Sequence, residues 1–231
     1  MAHGVGAQRV LCIRRRTLEG ELGRIPLGLS REPWQISALG TAVVRHGEFL
    51  PRPALEEDPR YLQIIVQGLV TDGQGVLALF RKSRAPAAGR FVETRHNGQV
   101  ALSAGGHVEP LEVSTPDMLR AALQRELAEE LVFVVPPPLS SVEPWGIVCT
   151  AAADAPLFHR VHLGLVYRVP VSGEIRLPDD STEFDNLEMA DLDRLRTLLP
   201  RMEGWGQILA QALLAGQFTL ASLAAVRRVS P

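Results

Sequence analysis

The order of apolar and polar positions predicts strands in the middle of the chain. Residues 62–70 and 75–80 are runs rich in strand-forming residues, and the polar segment 71–74 between them is typical of a hairpin turn. A short run at 99–103 then leads into Gly105 and Gly106, which predicts a strand that ends in a glycine turn. Two further strands are predicted, at 145–151 and 161–169.

The same pattern predicts helices before and after these last two strands. A helix is expected over 116–131, with Thr115 as its N-cap, Pro116 in the first helical position and Asp117 in the first turn. The three prolines at 136–138 prevent its continuation. The rest of the chain is predicted to be helical, at 189–199, 205–214 and 218–226. Together these elements predict an α/β domain with helices on both faces of a mixed sheet.

The first 60 residues have a different texture. Short apolar pieces alternate there with glycine, proline and charge, and the segment ends in the polar, proline-bearing stretch 51–59. We interpret 1–60 as an N-terminal extension with a few strands, and 61–231 as the main domain. A length of 231 residues suits one large domain with such an extension.

Composition and charge exclude several kinds of protein. The chain is 46% hydrophobic and 22% charged, as globular proteins are, and its formal charge is -2, so no basic field favours nucleic acid or an anionic membrane. No apolar run has the length of a signal peptide or a membrane span, which predicts a cytoplasmic protein. Cys12 and Cys149 form no CxxC pair, so neither a disulfide framework nor a cysteine zinc site is expected.

The most informative segment is Arg-Glu-Leu-Ala-Glu-Glu at 125–130. On a helix, Glu129 and Glu130 lie roughly 60° and 40° to either side of Glu126, so three carboxylates share one face. Like charges at this spacing destabilise a helix, and a hard divalent cation such as Mg²⁺ would offset the repulsion. A solvated charged face is the alternative, because glutamate is a good helix former.

The surroundings of this segment bear on the choice. Gly106 and Glu112 precede it, and the whole resembles the signature of the Nudix hydrolase family, in which a glycine and a glutamate come before Arg-Glu-aliphatic-any-Glu-Glu. Two features differ from that signature. Twelve residues, 113–124, replace the usual seven, and Val132 stands where the family has a glycine.

A looser resemblance extends over about Arg9 to Leu214. The Arg-rich segment 81–95, Gly105-Gly106-His107 and Glu203-Gly204-Trp205 occur in the order found in a bacterial branch of predicted Nudix phosphoesterases. The resemblance implies a Nudix-type α/β/α sandwich around a mixed β-sheet, with the N-terminal extension added to it. His107 is expected to have a structural role, because a lone histidine beside a glycine turn is more often structural.

The resemblance also implies roles for individual residues. The catalytic group comprises Arg125, Glu126, Glu129 and Glu130. Mg²⁺ or Mn²⁺ would be held by Glu126, Glu129, Glu130 and the carbonyl of Gly105, and Arg125 would pair with one of the glutamates. Substrate contacts are expected from Arg81, Arg95, Gly106, Glu109 and Glu112. An additional metal ligand or base is expected in the late polar loop, among Glu183, Asp185 and Glu188.

These expectations favour a metal-dependent hydrolase that cleaves the phosphoanhydride bond of a nucleoside diphosphate linked to another group. The rival is a non-catalytic Nudix-fold module that binds a nucleotide or a protein, which Val132 and the lengthened loop favour and the intact glutamate pattern opposes. A transcription regulator is a third reading, but no DNA-binding pattern is evident in 1–60 or 217–231. The substrate class stays open. The apolar helices at 205–214 and 218–226 can pack internally or form a homodimer face, and the frequent dimers of the family favour the dimer.

Overall fold

Strands and helices are distributed along the whole chain. The computed structural model describes residues 8–83, 96–115, 117–150 and 157–224. The strands are β1 (Arg9–Arg14), β2 (Gly28–Ser30), β3 (Glu48–Pro51), β4 (Tyr61–Thr71), β5 (Val76–Arg81), β6 (Val100–Ala101), β7 (Ala104–His107), β8 (Val132–Phe133), β9 (Glu143–Cys149), β10 (His162–Pro170), β11 (Ile175–Arg176) and β12 (Phe184–Ala190). The α-helices are α1 (Arg15–Leu22), α2 (Pro33–His46), α3 (Arg52–Leu55), α4 (Met118–Glu130), α5 (Leu157–Arg160), α6 (Leu192–Leu198), α7 (Gly204–Leu214) and α8 (Leu220–Ala224).

Two compact units make up the chain, and each is assembled from three separate segments. The first unit comprises Met1–Val66, Gly106–Gln124 and Gly146–Leu165, and the second comprises Gln67–Gly105, Arg125–Trp145 and Val166–Pro231. Several elements, among them β4, β10 and α4, therefore contribute residues to both units. The registers described below are all antiparallel.

In the first unit, β1 is a central strand. It pairs with β3 through Cys12 opposite Glu48, and with β4 through Cys12 opposite Gln63. Val10, Cys12 and Leu55 form a buried cluster, against which Leu50 and Tyr61 pack. The edge strand β2 pairs with β9. The expected strands of the extension are therefore present.

Helices α1 and α2 were not expected in the first 60 residues. Leu18 and Leu22 are buried from α1, and Leu39 and Val43 from α2, so each short helix presents an i,i+4 apolar pair to the interior. Pro33 occupies the start of α2, where its missing N–H costs no hydrogen bond. Arginine and glycine interrupt the apolar pattern of both helices in the sequence, so this pattern does not predict them.

In the second unit, β4 and β5 form the predicted hairpin. The turn depends on Asp72, whose Oδ1 accepts the N–H groups of Gln74 at 2.8 Å and Gly75 at 2.7 Å. Gly73 adopts φ +89°, a conformation that other residues rarely take. Val76, Leu77, Ala78 and Leu79 of β5 are buried. The hairpin thus carries the core of this unit directly to Arg81.

The prediction of a helix over 189–199 is wrong in its first part. Residues 184–190 form β12, which pairs with β5 so that Leu187 lies opposite Leu79 and Met189 opposite Leu77. The register shifts between Phe184 and Asn186, and this irregularity breaks the two-residue alternation by which a strand is recognised. The helix that follows, α6, begins after Asp191, whose Oδ1 accepts the N–H of Arg194 at 2.8 Å.

Helix α4 occupies most of the predicted span, with different ends. Asp117, not Thr115, provides the cap, because Asp117 Oδ1 accepts the N–H of Arg120 at 3.1 Å while the Thr115 hydroxyl donates to the Glu112 carbonyl. At the other end, Val132 starts β8, which pairs with β11. The chain passes from helix to strand at once, so this position needs no left-handed glycine.

The Cys12 thiol supplies a test of the core of the first unit. Burial, followed by the negative charge of Glu48, raises the pKa of Cys12 to about 12. In a Cys149→Ala variant, we expect Cys12 to resist alkylation at pH 8 until denaturant is added. Because the folded-state pKa lies above the unfolded value of about 8.5, stability should fall as pH rises from about 9 towards 12. A thiolate absorbance midpoint near 8.5 in the folded protein would contradict this.

Candidate active site

The C-terminal half of α4 presents its acidic residues beside one arginine. Arg125 Nη1 lies 2.8 Å from Glu126 Oε1 and 3.5 Å from Glu129 Oε1. The Glu126 side chain is 13% exposed and that of Glu129 is 61% exposed, so the first is fixed in place and the second faces water. A guanidinium that contacts two carboxylates limits the orientations available to both.

Glu130 occupies the interior side of this helix. Its Oε2 accepts the backbone N–H of Gly105 at 2.9 Å. Burial, followed by the charges of Glu183 and Glu126, raises the pKa of Glu130, while Arg81 and the Gly105 hydrogen bond oppose the rise. Gly105 adopts φ +149°, which glycine tolerates far better than other residues. The glycine turn and the acidic helix therefore meet at the Glu130 carboxylate.

Arg81, at the end of β5, joins two further glutamates to the site. Its Nη1 lies 2.7 Å from Glu183 Oε2 and its Nε lies 3.0 Å from Glu203 Oε2. The guanidinium also sits 4.9 Å from the centre of the Phe184 ring. Burial alone would lower the pKa of Arg81, but the carboxylates of Glu203, Glu183 and Glu130 outweigh it and raise the pKa. The ion pairs of Arg81 are thus with residues of the site itself, and its ring contact is with Phe184.

Glu183 and Glu203 reach the site for different reasons. Glu183 directly precedes β12, and its carbonyl accepts the N–H of Lys82 at 2.8 Å, which extends the β5–β12 ladder to this position. Glu203 directly precedes α7, and its own N–H donates to the Val100 carbonyl at 3.0 Å. Both carboxylates arrive at Arg81 from segments far apart in sequence. Of the other late acidic residues, Glu188 pairs with Arg194 and Asp185 is exposed.

We call the residues brought together here the acidic cluster: Arg81, Arg125, Glu126, Glu129, Glu130, Glu183 and Glu203. Five carboxyls and two guanidinium groups give it a formal excess of three negative charges when every carboxyl is ionised. Its carboxylate oxygens suit a hard divalent cation, and the repulsion felt at Glu130 is what such an ion would relieve. The chemistry of the residues therefore fits a metal such as Mg²⁺ or Mn²⁺.

Two of the remaining sequence-predicted residues, Glu109 and Glu112, have structural partners. The Glu109 N–H donates to Glu112 Oε2 at 2.6 Å, and the Glu109 side chain in return receives the N–H of Glu112, which closes a capping box around the 3₁₀ turn Pro110–Glu112. Gln8 Nε2 donates to Glu109 Oε1 at 2.8 Å. Gly106 and these two glutamates belong to the first unit. Arg95, like Arg84 and Arg90, lies outside the described residues. Substrate contact by these residues stays a prediction.

Comparison with known proteins places the chain in a family. The model of the NUDIX domain matches residues 62–212. The crystal structure of Tm1382, a candidate Nudix hydrolase, is 26% identical and superposes with a TM-score of 0.67 over 90% of this chain and 99% of that one. The chain belongs to the Nudix family, and the predicted α/β fold of Nudix type is confirmed.

More distant matches cover less of the chain. A bifunctional NMN adenylyltransferase/ADP ribose pyrophosphatase from Francisella tularensis is 18% identical, with a TM-score of 0.47, over 67% of this chain and 41% of that one. The MutT protein of Methanosarcina mazei is 17% identical, with a TM-score of 0.42, over 65% and 91% of the two chains. Among curated proteins, none matches this sequence significantly. Within the described residues, no helix combines the length and apolar character that crossing a membrane requires.

The Arg81 ion pairs can be tested through stability. Arg81→Met leaves Glu183 and Glu203 without their shared guanidinium, and the side chains of Arg81 and Glu203 are each only 14% exposed, so we expect a loss of about 3 kcal/mol in the free energy of unfolding. Urea denaturation measures the difference. Arg194→Met removes the exposed pair with Glu188 and is the matched control, for which little change is expected. Equal stability of both variants would mean that Arg81 does not hold the cluster together.

Proposed function

We propose that the protein is a metal-dependent hydrolase that cleaves a phosphoanhydride bond in a nucleoside diphosphate linked to another group, by attack of water on phosphorus. The acidic cluster is the observation that carries this proposal. It gathers the family's glutamates on α4 and adds Glu183 and Glu203 through Arg81. Membership of the family supports the reaction class.

The cluster divides the work between two kinds of residue. Glu126, Glu129, Glu130 and the Gly105 carbonyl would hold Mg²⁺ or Mn²⁺, which when bound neutralises pyrophosphate oxygens and lowers the pKa of a water. Arg125 orients Glu126, and Arg81 orients Glu183 and Glu203. A carboxylate of the cluster accepts the proton of the attacking water. Both arginines act through the carboxylates that they contact, so they are positioning residues.

A small phosphate-bearing molecule suits this site better than a nucleic acid. The formal charge of the chain is -2, and the cluster itself is acidic, so neither attracts a polyanion without an intervening cation. A bound divalent ion would reverse the local sign for a short pyrophosphate. These charges favour a short pyrophosphate substrate.

A phosphate-release screen tests the activity first. The purified protein is assayed on nucleoside and non-nucleoside diphosphate compounds with Mg²⁺, with Mn²⁺ and with a chelator. We expect hydrolysis of at least one compound, and we expect the chelator to abolish it. No hydrolysis of any compound, with nucleotides still raising the melting temperature, would replace the hydrolase with a nucleotide-binding module.

Glutamine substitutions test the residues. Glu126→Gln and Glu130→Gln keep side-chain volume but remove a charge, so we expect turnover to fall by about 100-fold or more. Glu130→Gln should also melt no lower than the wild type at pH 7. A carboxyl whose pKa is raised on folding opposes folding when ionised, and the amide removes that effect.

Glu188→Gln is the matched control for this series, because Glu188 lies on β12 and pairs with the exposed Arg194. Its turnover should equal that of the wild type. Unchanged activity of Glu126→Gln and Glu130→Gln would overturn the assignment of the cluster. A parallel loss of activity and melting temperature would instead show that these glutamates are structural.

A further inference from the structure

A second group of potential metal ligands lies in the first unit. Glu56, His107 and His162 each offer one ligand atom, and these three atoms all lie within 4.8 Å of one another. His162 Nε2 is 3.9 Å from Glu56 Oε1, and the two imidazole rings are edge to face with centres 5.7 Å apart. Among the described residues, no other group of three or more His, Cys, Asp or Glu side chains brings its ligand atoms this close together. The glutamates of α4 do not form such a group.

This group is largely shielded from water. His162 is 5% exposed, and the Glu56 side chain is 16% exposed. Two imidazoles and a carboxylate are thus held together where water cannot solvate them fully. Groups of this kind are stable inside a protein when they are hydrogen-bonded, paired with opposite charge or bound to a metal.

Gln63 provides an independent observation at the same place. It is fully buried, and its Oε1 lies 3.0 Å from His107 Nε2. Its Nε2 is buried too, and of the buried side-chain polar atoms described, it is the one without a hydrogen-bond partner. Such a nitrogen requires an acceptor, such as a metal-bound water.

The donor set indicates which ion fits. Imidazole nitrogens suit borderline metals such as zinc, while Mg²⁺ prefers oxygen ligands and retains its water. Two histidines and one carboxylate are a known zinc ligand set, completed by a fourth ligand. The cluster therefore differs in chemistry from the all-oxygen acidic cluster of the second unit.

We propose that Glu56, His107 and His162 bind one Zn²⁺ ion, which stabilises the first unit. The three ligands come from separate parts of the chain: Glu56 follows α3, His107 ends β7 and His162 begins β10. An ion that joins them closes two loops of about 50 residues each, and such a closure restricts the unfolded chain. The binding free energy of a site assembled by folding adds to folding stability.

Arg52 supports the carboxylate of this site. Its Nε lies 3.1 Å from Glu56 Oε1, and the Arg52 side chain is 13% exposed. The same oxygen faces His162, and a carboxylate offers about four lone-pair sites, so Glu56 can contact a guanidinium and a metal together. Hydrogen bonds from such outer partners orient metal ligands and commonly accompany them.

Metal binding can be measured without any enzymatic assay. The full-length protein is stripped with a chelator, and Zn²⁺ affinity is measured by competition with a chromophoric chelator. Co²⁺ is then added, and its visible absorption reports the ligand geometry. We expect one equivalent of Zn²⁺, a higher melting temperature with zinc than without it, and no competition from excess Mg²⁺.

Matched variants separate this site from others. Glu56→Gln and His107→Gln should weaken zinc binding by about 100-fold or more, beyond what loss of an outer partner costs. Glu56→Gln nearly preserves side-chain volume, so circular dichroism should show an intact fold. His46→Gln alters a histidine that pairs with Glu21 outside the cluster, and it should bind zinc as the wild type does.

Two outcomes would overturn the proposal. One is that the wild-type protein binds zinc no more tightly than Glu56→Gln does. The other is an undiminished single equivalent of zinc in both Glu56→Gln and His107→Gln. Glu126→Gln should keep its zinc whatever its activity, so the hydrolase can fail as a proposal without affecting this one.

Discussion

The second unit depends on the ion pairs that the Arg81 guanidinium makes with Glu183 and Glu203. The carboxylates of Glu183 and Glu203 lie on two different segments of the chain. Without a shared cation, their negative charges would repel each other and the charge of Glu130. An arginine suits this place better than a lysine because its donors fan out in a plane and can serve two partners at once. The hairpin, the ladder of β12 and the start of α7 all position the groups that this one side chain joins.

The structure also explains how the chain departs from the family signature. The lengthened segment, 113–124, follows the 3₁₀ turn at Pro110–Glu112, in which Glu112 is buried and satisfied by backbone, and from Met118 onward it forms the start of α4. The glycine expected after the glutamates is unnecessary because a strand starts at Val132. Both departures lie outside the segment 125–130 that carries Glu126 and Glu130.

The sequence predicted the parts of the molecule that depend on local patterns. The hairpin at Asp72 and the acidic helix follow from turn chemistry and helical spacing, which nearby residues determine. Strand β12 was missed because its irregular register hides the alternation. The meeting of Glu203 with Arg81, and of Glu56 with His162, depends on long-range folding that no spacing in the sequence encodes.

The interleaving of the two units bears on how the protein is made. The first unit requires residues up to Leu165, and the second requires segments that follow it, so neither can be completed by an early part of the nascent chain. At roughly 5–20 residues per second, the later segments of the first unit are synthesised many seconds after β1. During that time its apolar residues, Val10 to Ile13, stay uncovered by those partners. The first unit therefore stays incomplete until the segment that ends at Leu165 has been synthesised.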